Sequence, residues 1–402
     1  MKRIIMHIDV NNAFLSWTAI DRLKHGEKID IRNRYAVIGG DEQARRGIVV
    51  AKSNLCKERG VTTGESLYLA RRKCPYLEVY PANHSLYRTF SNQMYEYLLK
   101  YTNIIERYSI DECFLDYTYS RQLFGDPIKV AYQIKDEIKN LFGFTVNVGI
   151  GNNKLEAKMA SDFSKPDKVH TLFDEEIQTK MWPLSVKDLF MLGKSSAAKL
   201  EEMGIHTIGE LANTDINLLI KKFKSHGKLM WEFANGIDNS EVSYLMRDAK
   251  SISSSTVLPY NYNSRAECLK ILRSLSMEVG KKLRENSMYA KNVSIWIKYS
   301  NFIKVSKQMV LENAIHTDKD IYQYSTLLFD KLWDKDNYIR ALCVGVGNLS
   351  NGHDRQLSLF DIDKKDEVVK KYDDKLQKVL DDIRKKYGND KIMYTDMIKK
   401  KK

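Results

Sequence analysis

The chain has 402 residues, with 65 Lys and Arg against 52 Asp and Glu, and a formal net charge of +13. At roughly 100–200 residues per domain this length predicts two to four domains, and a hydrophobic content of 43% is enough to fill their cores. No apolar run approaches the roughly 20 residues of a membrane helix, and His7 and Asp9 interrupt the stretch that a signal peptide needs. Five cysteines without a Cys-x-x-Cys pair argue against a disulfide framework or a zinc finger. We therefore expect a cytoplasmic protein with reduced thiols, and the positive charge favours nucleic acid as a partner.

The first 170 residues alternate between strand and helix patterns. Apolar runs predict strands, and apolar residues three or four apart predict helices. The strands are expected at Ile4–Ile8, Tyr35–Ile38, Gly47–Ala51, Cys113–Tyr117 and Thr145–Ile150, and the helices at Leu86–Tyr101, Ile128–Phe142 and Asn153–Phe163. The inward face of the second helix is predicted to consist of Val130, Ile134, Ile138 and Leu141. Apart from an insertion at Tyr35–Tyr80, this order suits a split βαβ sheet.

The later chain changes pattern twice. Trp182–Asp238 has the spacing of a compact helical unit, and Ser251–Leu349 repeats a βαββαβ order. The strands are expected at Ser251–Leu258, Asn292–Ser300, Lys304–Leu311 and Ile339–Val346, and the helices at Ser264–Arg284 and Lys319–Trp333. In the second of these strands apolar residues alternate with Ser294, Trp296 and Lys298, which predicts a half-buried sheet. The face that carries Lys298 either lies against a phosphate backbone or is an ordinary solvated surface.

The C-terminal tail, Lys364–Lys402, contains 14 Lys and Arg and 8 Asp and Glu, a net charge of +6. Gly388 is expected to end a helix in this tail. The helical spacing of apolar residues predicts one stripe, formed by Val369, Tyr372, Leu376, Val379, Ile383 and Tyr387. The tail is either a docking helix or DNA-binding arm or, as we favour from its composition, a mostly solvated helix.

Three acidic residues lie at the ends of predicted strands. Asp9 follows the apolar run of the first strand, and Asp111 and Glu112 precede the strand that begins at Cys113. Acids at the ends of neighbouring strands can converge, and such clusters hold the two metal ions of phosphoryl-transfer enzymes because Mg²⁺ prefers carboxylate oxygens. From spacing alone, a solvated Asp–Glu pair is the more common explanation.

The segments around these acids, HIDVNNAFLS and YSIDECFLD, resemble the two metal-binding motifs of the Y-family, the lesion-bypass DNA polymerases, and most closely the bacterial polymerase IV and V branch. Residues 148–167, VGIGNNKLEAKMASDFSKPD, match a third family segment nearly throughout. The resemblance implies two Mg²⁺ ions as cofactors. Their ligands would be Asp9, Asp111, Glu112 and the carbonyl of Val10.

The same resemblance implies how a dNTP is held. Phe14 would lie against the sugar and exclude a ribonucleotide 2′-OH, whereas a core phenylalanine is the alternative without the motif. Lys165 would reach the triphosphate as a point charge. The other substrate-binding positions would be Asn12, Ala13, Asn54 and Lys57.

The match departs from the family in these nucleotide-binding segments. Aligned on Gly60–Val61, this chain reads SNLCKERGV where the family usually has NYEARKFGV. Asn54 therefore stands at a tyrosine position, Lys57 at an arginine position, and Ala51 where a hydroxyl residue is common. Because lysine keeps the charge but loses the bidentate fork of arginine, we expect a weaker grip on the nucleotide. Three more residues differ from the polymerase IV pattern, namely Asn11, Asn12 and Ala13.

Two further segments imply DNA and protein partners. The sequence LFMLGKSSAAKLEEMGIHTIGEL resembles a helix-hairpin-helix, which binds DNA phosphates of any sequence, and a purely structural helix pair is the alternative. Its contact residues would be Gly193, Lys194 and Ser195. Residues 356–360, QLSLF, resemble the bacterial sliding-clamp-binding peptide. The residues that engage the clamp would be Gln356, Leu357, Leu359 and Phe360.

The resemblance implies an α+β right-hand polymerase. Its parts would be a ferredoxin-like palm (1–34 and 81–170), small fingers (35–80), a helix-hairpin-helix thumb (171–243), a βαββαβ little finger (244–350), a linker with the clamp peptide (351–363) and the charged helical tail (364–402). We expect a monomer without membrane contact that copies primer–template DNA past lesions with low fidelity. Two alternatives remain: a catalytically weak or inactive scaffold that binds DNA and the clamp, and a nuclease that uses the same acids.

Overall fold

The computed structural model describes residues 2–245, 248–351, 377, 379–388 and 391–392. The chain divides into two compact units. The first comprises the described residues up to 42 and from 47 to 245, and the second comprises residues 43–46 and the described residues from 248 onwards. None of the helices in these ranges is long and apolar enough to cross a membrane.

The first part of the first unit contains two sheets. Its elements in chain order are β1 (Ile5–Val10), α1 (Ala13–Lys24), β2 (Ala36–Gly39), β3 (Val49–Lys52), α2 (Asn54–Glu58), α3 (Leu67–Lys73), β4 (Glu78–Pro81), α4 (His84–Leu98), β5 (Ile105–Arg107), β6 (Glu112–Asp116), α5 (Arg121–Phe124), α6 (Pro127–Phe142), β7 (Val146–Gly151), α7 (Lys154–Asp162) and β8 (Val169–Leu172). Strands β5-β6-β1-β7-β8 form a five-stranded sheet, and β3-β2-β4 form a three-stranded sheet. Every predicted strand and helix is present here, with ends shifted by no more than three residues. The short strands β4, β5 and β8 were not predicted.

Strand β1 lies at the centre of the five-stranded sheet, and all six of its residues are buried. Helices α1, α4 and α6 supply the core on one face of the sheet, and α7 packs on the other. Gly149 on β7 allows this close approach, since a Cβ there would lie 2.0 Å from the carbonyl oxygen of Ala157. The inward placement of Leu141 is wrong, because its side chain is 59% exposed. Phe142, one residue further along α6, packs against the core instead.

The remainder of the first unit is helical, as predicted. A single turn at Ile177–Met181 precedes α8 (Lys194–Glu202), α9 (Ile208–Ala212), α10 (Ile216–Phe223) and α11 (Ser225–Ala234). Helices α8 and α9 are joined by a turn at Gly204, whose φ of +79° is a conformation that glycine adopts readily. Their core includes Leu155 and Met159 of α7, so these helices pack directly on the sheet domain.

The second unit has the predicted βαββαβ order. Its elements are β9 (Ser251–Tyr262), α12 (Arg265–Glu285), β10 (Tyr289–Tyr299), β11 (Lys304–Ile315), α13 (Asp318–Leu332) and β12 (Ile339–Ser350). The sheet order is β11-β10-β12-β9, and all its pairings are antiparallel. Helices α12 and α13 cover one face, where the alternate apolar residues of β10 are buried. The strands run up to four residues longer than predicted.

Residues 379–387 are helical, and the helix ends before the glycine that was predicted to stop it. Of the predicted stripe, Val379 and Tyr387 are more than half exposed, which agrees with the mostly solvated helix that the composition favoured. Arg384 is instead 6% exposed, and its Nη1 lies 3.2 Å from a carboxylate oxygen of Asp318 at the start of α13. This buried ion pair therefore helps to hold residues 379–387 against α13 within the second unit.

Several predictions lie outside the described residues. These are the clamp-binding peptide at 356–360 and the tail residues Val369, Tyr372 and Leu376. The exact limits of palm, fingers, thumb and little finger also stay predictions. The expectation of reduced thiols agrees with the structure, since all five cysteines are described, buried and free.

Candidate active site

The sheet register brings two of the three predicted acids together. In the antiparallel pair of β1 and β6, Asp9 lies directly opposite Glu112. Side chains of a strand alternate between its faces, so Ile8 and Val10 enter the core while Asp9 points to the face that α7 covers. Cross-strand partners have Cβ atoms about 4.5–5.5 Å apart. The predicted convergence of these two carboxylates is therefore present.

Two lysines contact these carboxylates. The Nζ of Lys158, on α7, is 3.1 Å from an oxygen of Asp9 and 3.3 Å from an oxygen of Glu112. The Nζ of Lys165, just after α7, is 2.9 Å from the other oxygen of Asp9. Burial lowers the pKa of both lysines, but Asp9 and the other neighbouring carboxylates outweigh this effect, so both pKa values are raised overall. Both side chains therefore stay cationic, and they balance the negative charge of the site.

His7 supports Glu112 from the neighbouring position on the same face of β1. Its Nε2 lies 3.2 Å from Glu112 Oε2, and its Nδ1 lies 2.8 Å from the hydroxyl of Ser161. Burial lowers the pKa of His7, so the ring is neutral. Burial pushes the pKa of Glu112 up, yet the hydrogen bond from His7 and the charge of Lys158 hold it at about 2. Because an ionised carboxylate only accepts hydrogen bonds, the Nε2–H of His7 donates to Glu112.

Asp111 lies next to this pair. The N–H of Val10 donates to the Asp111 carbonyl oxygen at 3.0 Å, which ties the end of β1 to the loop before β6. Burial raises the pKa of the Asp111 carboxyl, a 2.6 Å hydrogen bond from Ser109 opposes this, and repulsion from the charges of Glu112 and Asp9 adds to the rise. The three predicted acids are therefore close enough for the charges of Glu112 and Asp9 to raise the pKa of Asp111. Sequence reasoning missed His7 and Lys158, although Lys158 lies inside the family-like segment 148–167.

The donor set fits Mg²⁺. Among the described residues, no three His, Cys, Asp or Glu side chains already surround a common point as metal ligands. The ammonium groups of Lys158 and Lys165 lie beside the carboxylates instead, which marks the position as one that attracts cations. Carboxylate oxygens are the hard ligands that Mg²⁺ takes, so Asp9, Asp111 and Glu112 are suitable to hold it.

Phe14 lies on the first turn of α1, shortly after Asp9 in the chain. Its ring stacks on that of Tyr87, with centroids 4.6 Å apart and planes 15° apart. The side chain is only partly buried, and it packs at the edge of the core. Its position is therefore compatible with both predictions from the sequence, a core phenylalanine and a ring that contacts the sugar. The ring packs against the core on one side, and part of it stays accessible.

The start of α1 carries two of the predicted substrate-binding positions, Asn12 and Ala13. Asn12 has left-handed backbone angles, and the N-terminus of the helix has no side-chain cap. The Nδ2 of Asn12 donates to the carbonyl oxygen of Lys52 at 2.7 Å, which links α1 to the strand before α2. Ala13 is 5% exposed. Asn54 and Lys57 lie exposed on α2.

The predicted DNA-contacting residues lie on surfaces. Gly193, Lys194 and Ser195 are exposed at the N-terminus of α8, which has no side-chain cap, and a Cβ at Gly193 would meet nothing within 4 Å. Lys298 lies on the partly exposed face of β10 opposite Lys304, and its Nζ lies 5.0 Å from the ring centroid of Phe302. Both positions are accessible to a phosphate backbone.

Comparison with known proteins shows the family of the chain. Residues 8–162 match the impB/mucB/samB family, and residues 249–359 match the C-terminal domain of that family. The chain is 47% identical to DNA polymerase IV of Clostridium acetobutylicum over its whole length and 99% of the relative. The chain belongs to the Y-family DNA polymerases, in the bacterial polymerase IV branch. It is also 34% identical to DNA polymerase IV 2 of Bacillus subtilis, over 98% of the chain and 94% of that relative.

Solved structures share the fold of this Y-family member. A chimera of the Y-family polymerases Dbh and Dpo4 matches with a TM-score of 0.75 and 22% identity, over 86% of this chain and 98% of that one. An insertion ternary complex of the Dbh polymerase matches with a TM-score of 0.58 over the same shares. The predicted α+β right-hand polymerase architecture is therefore confirmed.

Proposed function

We propose that this chain is a template-directed, lesion-bypass DNA polymerase that adds dNTPs to a primer 3′-OH, with Asp9, Asp111 and Glu112 as its metal-binding carboxylates. The observation that carries the proposal is the pairing of Asp9 with Glu112 across β1 and β6, beside the ammonium groups of buried Lys158 and of Lys165. When bound, two Mg²⁺ ions would supply the positive charge that lowers the pKa of the 3′-OH and stabilises the leaving pyrophosphate.

The chain's own groups would bind and orient the nucleotide. Lys165 stays protonated beside Asp9 and would contact the triphosphate as a point charge. The start of α1 at Asn12 and Ala13 has no side-chain cap, and the helix dipole there would favour an anion. The ring of Phe14, anchored by its stacking partner, would occupy the space of a ribonucleotide 2′-OH.

The remaining contacts follow the family resemblance. Asn54 and Lys57 would grip the triphosphate from α2, more weakly than a tyrosine and an arginine do. Residues 193–195 and Lys298 would hold DNA through its phosphates, so this binding is independent of sequence and sensitive to salt. Residues 356–360 would recruit the sliding clamp. We further propose that the protein works as a monomer in the cytoplasm.

The experiment that tests this function is primer extension with Mg²⁺ over undamaged and damaged templates, with the wild type and the double variant Asp111→Ala/Glu112→Ala. The double variant is expected to lose extension, by a factor of about 100 or more, since it lacks two of the three carboxylates. The matched control is Asp336→Ala/Glu312→Ala, which makes the same charge change at two exposed acids and leaves extension unchanged.

The same gel separates the alternatives. If the double variant extends primers as the wild type does, the proposed site is wrong. If the wild type binds DNA without extending it, the scaffold function replaces the polymerase. Shortening of labelled DNA without dNTPs, lost in the double variant, would indicate a nuclease. Added sliding clamp is expected to lengthen the products of the wild type but not those of a Phe360→Ala variant.

A further inference from the structure

Lys165 lies in a short loop, residues 164–168, that connects α7 to β8. Asn147 on β7 holds the start of this loop. Its Nδ2 donates to the carbonyl oxygen of Ser161 at 2.9 Å and to that of Ser164 at 2.6 Å. Asn147 is fully buried, and both hydrogens of its amide are used. Sequence reasoning did not single out this residue.

The orientation of this amide follows from its partners. Carbonyl oxygens only accept hydrogen bonds, so the NH₂ group of Asn147 must face them. Its Oδ1 therefore faces the other way, where it accepts from the N–H of Lys168 at 3.3 Å and from Nδ2 of Asn11 at 3.1 Å. Because Asn11 donates there, its own Oδ1 is left to accept the N–H of Asp167 at 2.9 Å. We call this chain of bonds, from Asn11 through Asn147 to the loop, the amide relay.

The amide relay connects the loop to the strand that carries the metal-binding acid. Asp9 lies opposite Asn147 in the pair of β1 and β7. The far side of the loop is held separately, since the carboxylate of Asp167 is 3.0 Å from Lys135 Nζ and 2.8 Å from Lys139 Nζ. Burial raises the pKa of Asp167, but its hydrogen bonds with the two lysines outweigh this and lower it overall. The loop is thus fixed on both sides.

We infer that Asn11 and Asn147 are positioning residues for nucleotide binding, which hold the loop so that Lys165 Nζ stays beside Asp9. The inference rests on the proposed contact of Lys165 with the triphosphate. An amide suits position 11 because a carboxylate there would set two acceptors face to face with Asn147 Oδ1. Asn11 is also one of the residues at which this chain departs from the polymerase IV pattern.

The test is a double-mutant cycle on the full-length enzyme. The KM for dNTP and kcat are measured for the wild type, Asn147→Ala, Lys165→Ala and the double variant. Each single variant is expected to raise KM by about ten-fold, equivalent to about 1.4 kcal/mol, with a smaller change in kcat. In the Lys165→Ala background, Asn147→Ala is expected to change KM little, because the group that it positions is gone.

A second measurement does not depend on catalytic turnover. The equilibrium dissociation constant for dNTP is measured with Ca²⁺ on a dideoxy-terminated primer, where the same non-additivity is expected. The matched control is Asn235→Ala, since Asn235 Nδ2 likewise donates to two backbone carbonyl oxygens, those of Ala212 and Trp231. This control is expected to lower the unfolding midpoint but not to change dNTP binding. Asn147→Ser, which keeps one donor, gives an intermediate KM, and it replaces the alanine variant if that protein does not fold.

The outcomes are distinguishable. If Lys165→Ala leaves KM unchanged, the proposed role of Lys165 fails and the inference fails with it. If Lys165→Ala raises KM but the effects of the two substitutions add fully, Asn147 acts on stability alone and only the inference is overturned. An Asn11→Asp variant with wild-type KM would also overturn it, because this change removes the donor to Asn147.

Discussion

Glu156 allows a sharp prediction about stability. It is fully buried in the first turn of α7, and its Oε2 accepts the N–H of Asn152 at 2.6 Å. Burial is the main cause that raises its pKa from the ordinary 4.5 to about 8, and the neighbouring carboxylate of Asp174 adds to the rise. The folded protein therefore keeps the Glu156 proton at neutral pH, whereas the unfolded chain releases it.

The sign and size of the effect follow from these two values. A group whose pKa is raised in the folded state contributes most stability below its unfolded pKa, and this contribution is lost as the pH rises towards the folded pKa. Each pKa unit corresponds to about 1.4 kcal/mol. Between pH 4.5 and 8 the free energy of unfolding is thus expected to fall by up to about 5 kcal/mol from Glu156 alone, and by about 3 kcal/mol at pH 7.

The perturbation is Glu156→Gln. This substitution keeps the shape of the side chain and removes the carboxyl group that releases a proton on unfolding. Urea unfolding of both proteins at pH 5, 6.5 and 8 gives the difference in their free energies of unfolding. We expect the free energy of unfolding of the variant to increase relative to that of the wild type as the pH rises. Glu312→Gln, at an exposed glutamate of β11, is the matched control and should show no such trend. A difference for Glu156→Gln that is flat with pH, or that grows as the pH falls, would refute the reasoning.

Three further predictions concern the nucleotide and the tail helix. Phe14→Ala should raise ribonucleotide incorporation by about ten-fold or more, measured by single-nucleotide extension, and unchanged sugar discrimination would remove its role as a gate. The pair Lys57→Arg and Asn54→Tyr should lower the KM for dNTP by restoring a bidentate fork and an aromatic hydroxyl, and an unaltered KM would count against this. Arg384→Ala should leave the buried carboxylate of Asp318 short of a partner and lower the unfolding free energy by about 3 kcal/mol, so an unchanged urea midpoint would contradict it.

Local patterns predicted the regular elements well because helix and strand periodicity depends only on residues that are close together in the chain. Helix α6 begins after Asp126, whose side chain accepts from two backbone N–H groups, continues through buried Ile134 and Ile138, and ends at left-handed Gly143. The strands β4, β5 and β8 were missed because they are short and mostly only partly buried, so they lack the apolar run that marked β2 and β3. They exist only because a neighbouring strand offers them hydrogen bonds.

The sequence by itself determined which carboxylates are the candidates for the site. The motif around Asp9 and the pair Asp111–Glu112 indicated the carboxylates, and the strand alternation of β1 decided which face they share. Only the tertiary structure placed His7, Lys158 and Asn147 around them, because these contacts join residues more than 100 positions apart. Periodicity is a property of neighbours along the chain, whereas burial, pKa and hydrogen-bond direction depend on what the fold packs beside each group.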